Sequence, residues 1–189
     1  MKNSTVLINR ILPTEGTTTY IKNILLILFG TLLLAVSAKV QVPFWPVPMT
    51  MQTFVVFLIG MTYSVRLSFL TLLAYLIEGA IGIPVFAAGG GIMYLMGPTA
   101  GYLYGMLIAV IVISYFANHG YGSSYIKSAL ALILGSFFIF AIGILYLGSI
   151  IGYSKALQAG LIPFIPSEIF KIALAVAIIP TIQNYIKLK

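Results

Sequence analysis

Between Ile21 and Tyr185 the charged side chains occur one at a time, at Lys22, Lys39, Arg66, Glu78, Lys127 and Lys155, until Glu168 and Lys171 stand three apart. The runs between them are apolar and approach the roughly 20 residues that a helix needs to cross a bilayer. The composition, 61% hydrophobic and 7% charged, departs far from the roughly 45–50% apolar and about 25% charged of a soluble domain. The chain reads as an all-α integral membrane protein. With no cysteine, disulfides, thiolate metal sites and a cysteine nucleophile are excluded.

Residues 1–20, with Lys2, Arg10 and Glu15, carry no apolar run before a small-residue cleavage site and read as a cytoplasmic tail rather than a signal peptide. Residues 21–189 then form one membrane domain of six helices. The expected spans are Ile21–Ala38, Met49–Tyr63, Leu67–Ala80, Pro98–Ala117, Ile126–Ile151 and Pro166–Tyr185. The second is short for a full crossing and calls for bilayer thinning or a tilted neighbour. Ser154 to Pro163 reads as a re-entrant or interfacial piece.

The net charge of +7 reflects topology rather than nucleic acid, because the basic residues are dispersed. With the N-terminus inside, Lys2, Arg10, Lys22, Arg66, Lys127, Lys187 and Lys189 fall on the cytoplasmic side, and only Lys39 and Lys155 fall outside. This is the positive-inside pattern, and it predicts both termini in the cytoplasm. The outer face then gathers VPFWPVP, LIPFIP and the stretch from Ile81 to Gly105. That stretch contains Gly89, Gly90 and Gly91 with Pro84 and Pro98, which forbid a regular helix. It nevertheless keeps Val85, Phe86, Ile92, Met93 and Leu95, so it is expected to pack as a lid or cavity wall, where irregular backbone survives beside lipid.

A charge at the centre of a membrane helix costs about 2.5–3.5 kcal/mol on insertion scales, so each polar side chain there needs a reason. Gln52, Glu78, Thr99, Tyr102, Glu168 and Lys171 all fall at similar depth near the outer face. Glu168 and Lys171 admit two readings. One is a self-compensating pair at a helix end, with the acid at the positive N-terminus and the lysine reaching the interface; the other is a ligand site shared with Gln52 and Glu78. Phe44, Trp45 and Phe86 are either an interfacial aromatic belt or pocket wall. His119, in the inner turn, reads as solvated. The chain has no aspartate, and it lacks the nucleophile elbow, the zinc-protease helix and the phosphate-cradling loop with its lysine. An enzyme reading therefore has no residues to stand on, no metal or cofactor is called for, and ATP hydrolysis must come from elsewhere.

Four separated motifs carry a resemblance: PVPMTMQT (Pro46–Thr53), AYLIEGAIGIPVFA (Ala74–Ala87), GPTAGYLYG (Gly97–Gly105) and FIPSEIFKIALA (Phe164–Ala175). In order and spacing they resemble the BioY family, the biotin-binding substrate-specific (S) components of energy-coupling-factor (ECF) transporters. Where that family has Gly-Asp before the lysine of the sixth helix, this chain has Ser167 and Glu168. The resemblance implies a six-helix S-component fold, capture of biotin from outside, and a partner module of one coupling protein and two ATPases. It would dock on small residues of the first helix, here Thr31 and Ala35. Biotin needs apolar walls, an acceptor, a donor and a cation. Glu168 or Glu78 is expected to accept from the ureido N–H groups, Gln52 to donate or accept, Lys171 to take the carboxylate, and Trp45, Phe86 and Tyr102 to wall the rings. The competing expectations are a stand-alone secondary carrier of another small carboxylate, coupled to protons through Glu78 or Glu168, and a membrane scaffold without a ligand.

Overall fold

The structure is a computed structural model that describes residues 7–8 and 17–187. Most of the expected tail, residues 1–20, therefore lies outside the described residues, although the first helix, α1 (Thr17–Lys39), already begins inside that range. A two-residue antiparallel ribbon follows, β1 (Gln41–Val42) on β2 (Met49–Thr50), with Gln41 opposite Thr50. Then come α2 (Gln52–Thr62), α3 (Val65–Ala80), a 3₁₀ turn at Ile92–Met96 and α4 (Ala100–Asn118). A second 3₁₀ turn, Tyr121–Ser123, leads to α5 (Tyr125–Ile151), α6 (Tyr153–Gly160), a third at Ile162–Phe164 and α7 (Ile165–Lys187).

The boundaries follow local chemistry. Ser64 caps α3 by accepting from the Leu67 N–H, and Ser124 caps α5 by accepting from Lys127. Gly152, at φ +89°, stops α5 in a conformation that residues with a Cβ avoid. The expected second span differs from the structure. Met49 and Thr50 pair as strand, and the helix starts only at Gln52.

Among the described residues, four helical stretches are long and apolar enough to cross a membrane: α1, α4, α5 and the run through α6 and α7. The 11 residues of α2 rise only about 16 Å at 1.5 Å each, about half the hydrocarbon thickness. It tolerates this because it is interior: Val56 and Phe57 are fully buried, and Gln52 and Thr53 nearly so. Irregular backbone at its ends is surrounded by protein rather than lipid.

α4 and α5 form the closest helix pair, because glycines let the backbones approach. A Cβ on Gly105 would lie 2.8 Å from the Cα of Ile139. The outer surfaces carry Leu28 and Phe29 of α1, Phe137 of α5 and Phe170 of α7, all exposed and apolar as a lipid-facing surface is. The expected docking residues Thr31 and Ala35 lie toward the bundle. The helical period puts Thr31 on the same inward face as Leu34 and Ala38, so Thr31 is buried and bonds the Leu28 carbonyl at 3.1 Å. Ala35 is partly buried and also packs against the core. The outward face of α1 instead presents Leu28, Leu32 and Val36.

Candidate functional site

The first turns of α2, α4 and α7 meet the Ile81–Gly105 segment and the β-ribbon at one end of the bundle. They enclose a cavity lined by Pro48, Thr50, Gln52, Thr53, Phe86, Tyr94, Tyr102, Phe140, Phe164, Glu168 and Lys171, with Met106 and Ile139 among its apolar walls. Its free volume is about 50 Å³, well below the roughly 300–1,000 Å³ of small-molecule sites. Aromatic rings fill the space. Phe86 is fully buried, stacks on Tyr94 at 4.9 Å between centroids and meets Tyr75 edge-on at 5.4 Å. Phe164 stacks on Tyr102 at 6.4 Å.

Behind these rings lies a buried ionic cluster. Glu168 and Lys171 share a face of α7 at spacing three, and their side chains touch, Nζ to Oε2 at 3.2 Å, with residue exposures of only 5% and 3%. Thr53 of α2 joins them: its hydroxyl accepts from Lys171 at 3.0 Å and donates to Glu168 Oε2 at 2.9 Å. Ser136 of α5 donates to the other oxygen, Oε1, at 2.7 Å. Both carboxylate oxygens are thus held by donors from three helices, while Lys171 uses two of the three hydrogen bonds an ammonium can donate. The pair compensates itself in the first turns of α7, as the helix-end reading has it, but Lys171 points into the bundle and not toward the interface. One turn away, the Gln52 amide donates to the Tyr75 hydroxyl at 2.7 Å, which donates to the Val85 carbonyl at 2.9 Å. Thr50 Oγ1 lies 3.5 Å from Gln52 Oε1.

The Ile81–Gly105 segment is tied down at both edges. Phe86 and Gly89 pair as an isolated bridge, and the Gly91 N–H donates to the Gly79 carbonyl at 2.6 Å. Lys39 Nζ at the end of α1 donates to the Phe86 carbonyl at 2.6 Å, and Gln41 Nε2 of β1 donates to that of Ala87 at 3.3 Å. The three glycines differ in kind. Gly89 and Gly91 occupy φ of +132° and +100°, whereas Gly90 does not have positive φ and is required because a Cβ there would collide with the Ile83 carbonyl oxygen.

Of the residues expected at the site, Gln52, Phe86, Tyr102, Glu168 and Lys171 line one cavity. Tyr102 turns its hydroxyl away to the Gly160 carbonyl at 2.9 Å and offers only its ring. Two expected residues stand outside this lining: Trp45 is 85% exposed, and Glu78 lies in the last turn of α3. Trp45 sits in the ribbon's outer loop, whereas Glu78 lies one residue before the glycine packed beneath the Phe86 ring. Sequence reasoning passed over Thr53 and Ser136. Thr53 stands beside Gln52 in a recognisable motif, but nothing in the sequence separates Ser136 from Ser114 or Ser128, which bond backbone carbonyls.

A larger hollow, about 650 Å³, opens sideways between α5 and α7. Its walls are apolar except for Ser136 and Glu168, which already bond one another. It is an open apolar cleft, whereas the small cavity keeps a donor of Lys171 to spare.

Comparison with known proteins agrees with this architecture. The profile of the BioY family matches residues 6–188. The probable biotin transporter BioY of Rickettsia prowazekii is 35% identical over 178 residues, spanning 94% of this chain and 91% of the relative. That of Pyrococcus horikoshii is 38% identical over 165 residues, 86% of this chain and 97% of the relative. The biotin transporter BioY of Thermotoga maritima is 34% identical over 151 residues, 78% and 88% of the two chains. In fold, the chain is similar to the crystal structure of the S-component for biotin from an ECF-type ABC transporter, with TM-score 0.79 and 23% identity over 90% of this chain and 95% of that one.

Proposed function

The chain belongs to the BioY family, and on that premise we propose that it is a multi-pass plasma-membrane component for biotin uptake, taking biotin into the cavity beneath the Ile81–Gly105 lid. The observation that carries the site is the donor–acceptor pair Lys171–Glu168, buried with Thr53 at the back of an otherwise aromatic cavity. A ureido head presents a carbonyl flanked by N–H groups, which matches an ammonium donor placed beside a carboxylate acceptor. A ligand carboxylate at Lys171 would instead face Glu168, bonded to the same ammonium, and like charges that close repel strongly at low dielectric.

The expectation that Lys171 takes the carboxylate therefore gives way. The ureido head goes to Lys171 and Glu168, with Gln52 at its side, and the valerate carboxylate points to the mouth. There Lys39, exposed and already reaching the Phe86 carbonyl, supplies the cation. Phe86, Tyr94, Tyr102 and Phe164 wall the bicycle. Because the cavity is nearly closed, the lid and the aromatic rings beneath it have to move outward for biotin to enter. Gly89 to Gly91 are the natural hinge, being positions where a Cβ is either strained or in collision.

The remaining features follow the same reading. Six helices cross the membrane, α2 and α3 with protein around their ends, and both termini face the cytoplasm, as the basic residues indicate. The chain binds and carries without catalysing a reaction. No nucleotide motif is present in the sequence, so a coupling protein and two ATPases energise transport. Since Thr31 is buried, such a partner would meet the outward stripe of α1 through Leu28, Leu32 and Val36. Proton coupling finds less support, because Glu78 is outside the cavity and Glu168 is bound to Lys171. Calorimetric titration of the purified chain with biotin tests the proposal: saturable one-to-one binding supports it, and no binding overturns it.

A further inference from the structure

At the opposite end of the bundle from the cavity, α1 and α3 leave a groove of about 250 Å³, lined by Tyr20, Asn23, Ile24, Ile27, Ser64, Arg66, Leu67 and Leu70. Its polarity changes along its length. The polar members come first in both helices, Tyr20 and Asn23 on α1 and Ser64 and Arg66 at the start of α3. Ile24, Ile27, Leu67 and Leu70 come after them, toward the bilayer interior. From Tyr20 to Ile27 the helix rises about 10 Å, so the groove runs from interfacial to hydrocarbon depth. Ile24 and Leu70 remain 57% and 36% exposed, and the apolar end opens onto the lipid-facing surface of α1 at Leu25 and Leu28.

Among the described residues, the charge at this end has one sign. Arg66 lies in the first turn of α3 and Lys127 in the first turn of α5, whereas the described carboxylates, Glu78 and Glu168, lie at the other end of the bundle. Arg66 is exposed and makes no ion pair among the described residues. Ser64 takes up one first-turn N–H of α3, that of Leu67, and Arg66 brings the positive charge to the groove. A guanidinium presents a planar fork of donors that suits phosphate.

From these features we infer that the α1–α3 groove is a site for an anionic phospholipid, with its phosphate on Arg66 beside Asn23 and Tyr20 and one acyl chain along Ile24, Ile27, Leu67 and Leu70. The lipid staples the N-terminal end of α1 to α3. This helix has much of its surface exposed, and such a contact holds it against the bundle.

Native mass spectrometry of the full chain tests this, after equilibration in detergent with equal phosphatidylglycerol and phosphatidylcholine of identical acyl chains. The wild type is expected to retain one phosphatidylglycerol in preference to phosphatidylcholine by about tenfold, the worth of a charge-assisted contact. Arg66→Gln should erase the preference, and Lys127→Gln, at the same membrane end but outside the groove, should leave it intact. Ile27→Trp, which fills the apolar half, should lower retention of both lipids. Millimolar inorganic phosphate should not displace the lipid if the acyl chain contributes; displacement would reduce the groove to a phosphate site and overturn the proposal. It is equally overturned if Arg66→Gln keeps the wild-type preference, or if Lys127→Gln loses as much of it. Thermal unfolding of each variant separates lipid loss from misfolding.

Discussion

Replacing Lys171 by methionine keeps the length of the side chain and removes its charge. Two contacts go with it, the 3.0 Å bond to Thr53 and the 3.2 Å contact with Glu168. Glu168 is left in the interior without its cation, held only by Ser136 at 2.7 Å and Thr53 at 2.9 Å. Breaking a buried pair from one side costs about 3–5 kcal/mol, and those two donors offset part of it, so the empty protein should lose thermal stability. Adding Glu168→Gln removes the orphaned charge and should restore much of that stability without restoring binding. For the ligand, the lost charged donor to the ureido carbonyl is worth about 1.5–3 kcal/mol, or roughly 10- to 100-fold in affinity. Isothermal titration with biotin and biotin amide separates the two orientations. If the ureido head meets Lys171, the variant weakens both ligands by the same factor and keeps the wild-type preference for biotin, whereas Lys39→Met narrows that preference. If Lys171→Met alone abolishes the preference, Lys171 is the carboxylate partner and the orientation argued from the Glu168 contact is refuted.

Gly90→Val places a branched side chain against the Ile83 carbonyl and should displace the lid, changing biotin association and dissociation rates in stopped flow; unchanged rates would remove this segment from the entry path. Ser136→Ala leaves Glu168 Oε1 without its 2.7 Å donor and should weaken biotin by an amount on the order of 1–3 kcal/mol, while Ser136→Thr retains a donor and recovers part of it. Gly79→Ala drives a methyl into the Phe86 ring. A rise in exposure of Phe86 by hydrogen exchange of the 83–91 segment, together with weaker biotin binding, is the expected result. The purified chain should show no ATP turnover, and ATP-driven uptake in liposomes should appear only when a coupling protein and ATPases are added; turnover by the chain alone would sink the division of labour proposed here.

Much of this protein was legible in the sequence because bilayer physics acts locally. Apolar runs of span length with single charges between them mark helices without reference to distant residues. A three-residue spacing likewise places Glu168 and Lys171 on one face, and Pro84, Pro98 and the glycine triplet announce a loop that cannot be helical. What the sequence did not contain was direction. Lys171 turned inward, and Thr31 turned into the bundle, because each helix rotates to bury whichever face packs best against neighbours far along the chain. Ser136 met Glu168 across 32 residues and Thr53 met it across 115, pairings that no local pattern encodes. Trp45 and Glu78 were chosen by residue type and depth, and packing left one in the open and the other outside the cavity. Tertiary structure also decided the electrostatics: Glu168 closes onto Lys171, and the proposed orientation of biotin rests on that contact, because a charge buried at low dielectric takes its chemistry from its nearest partner.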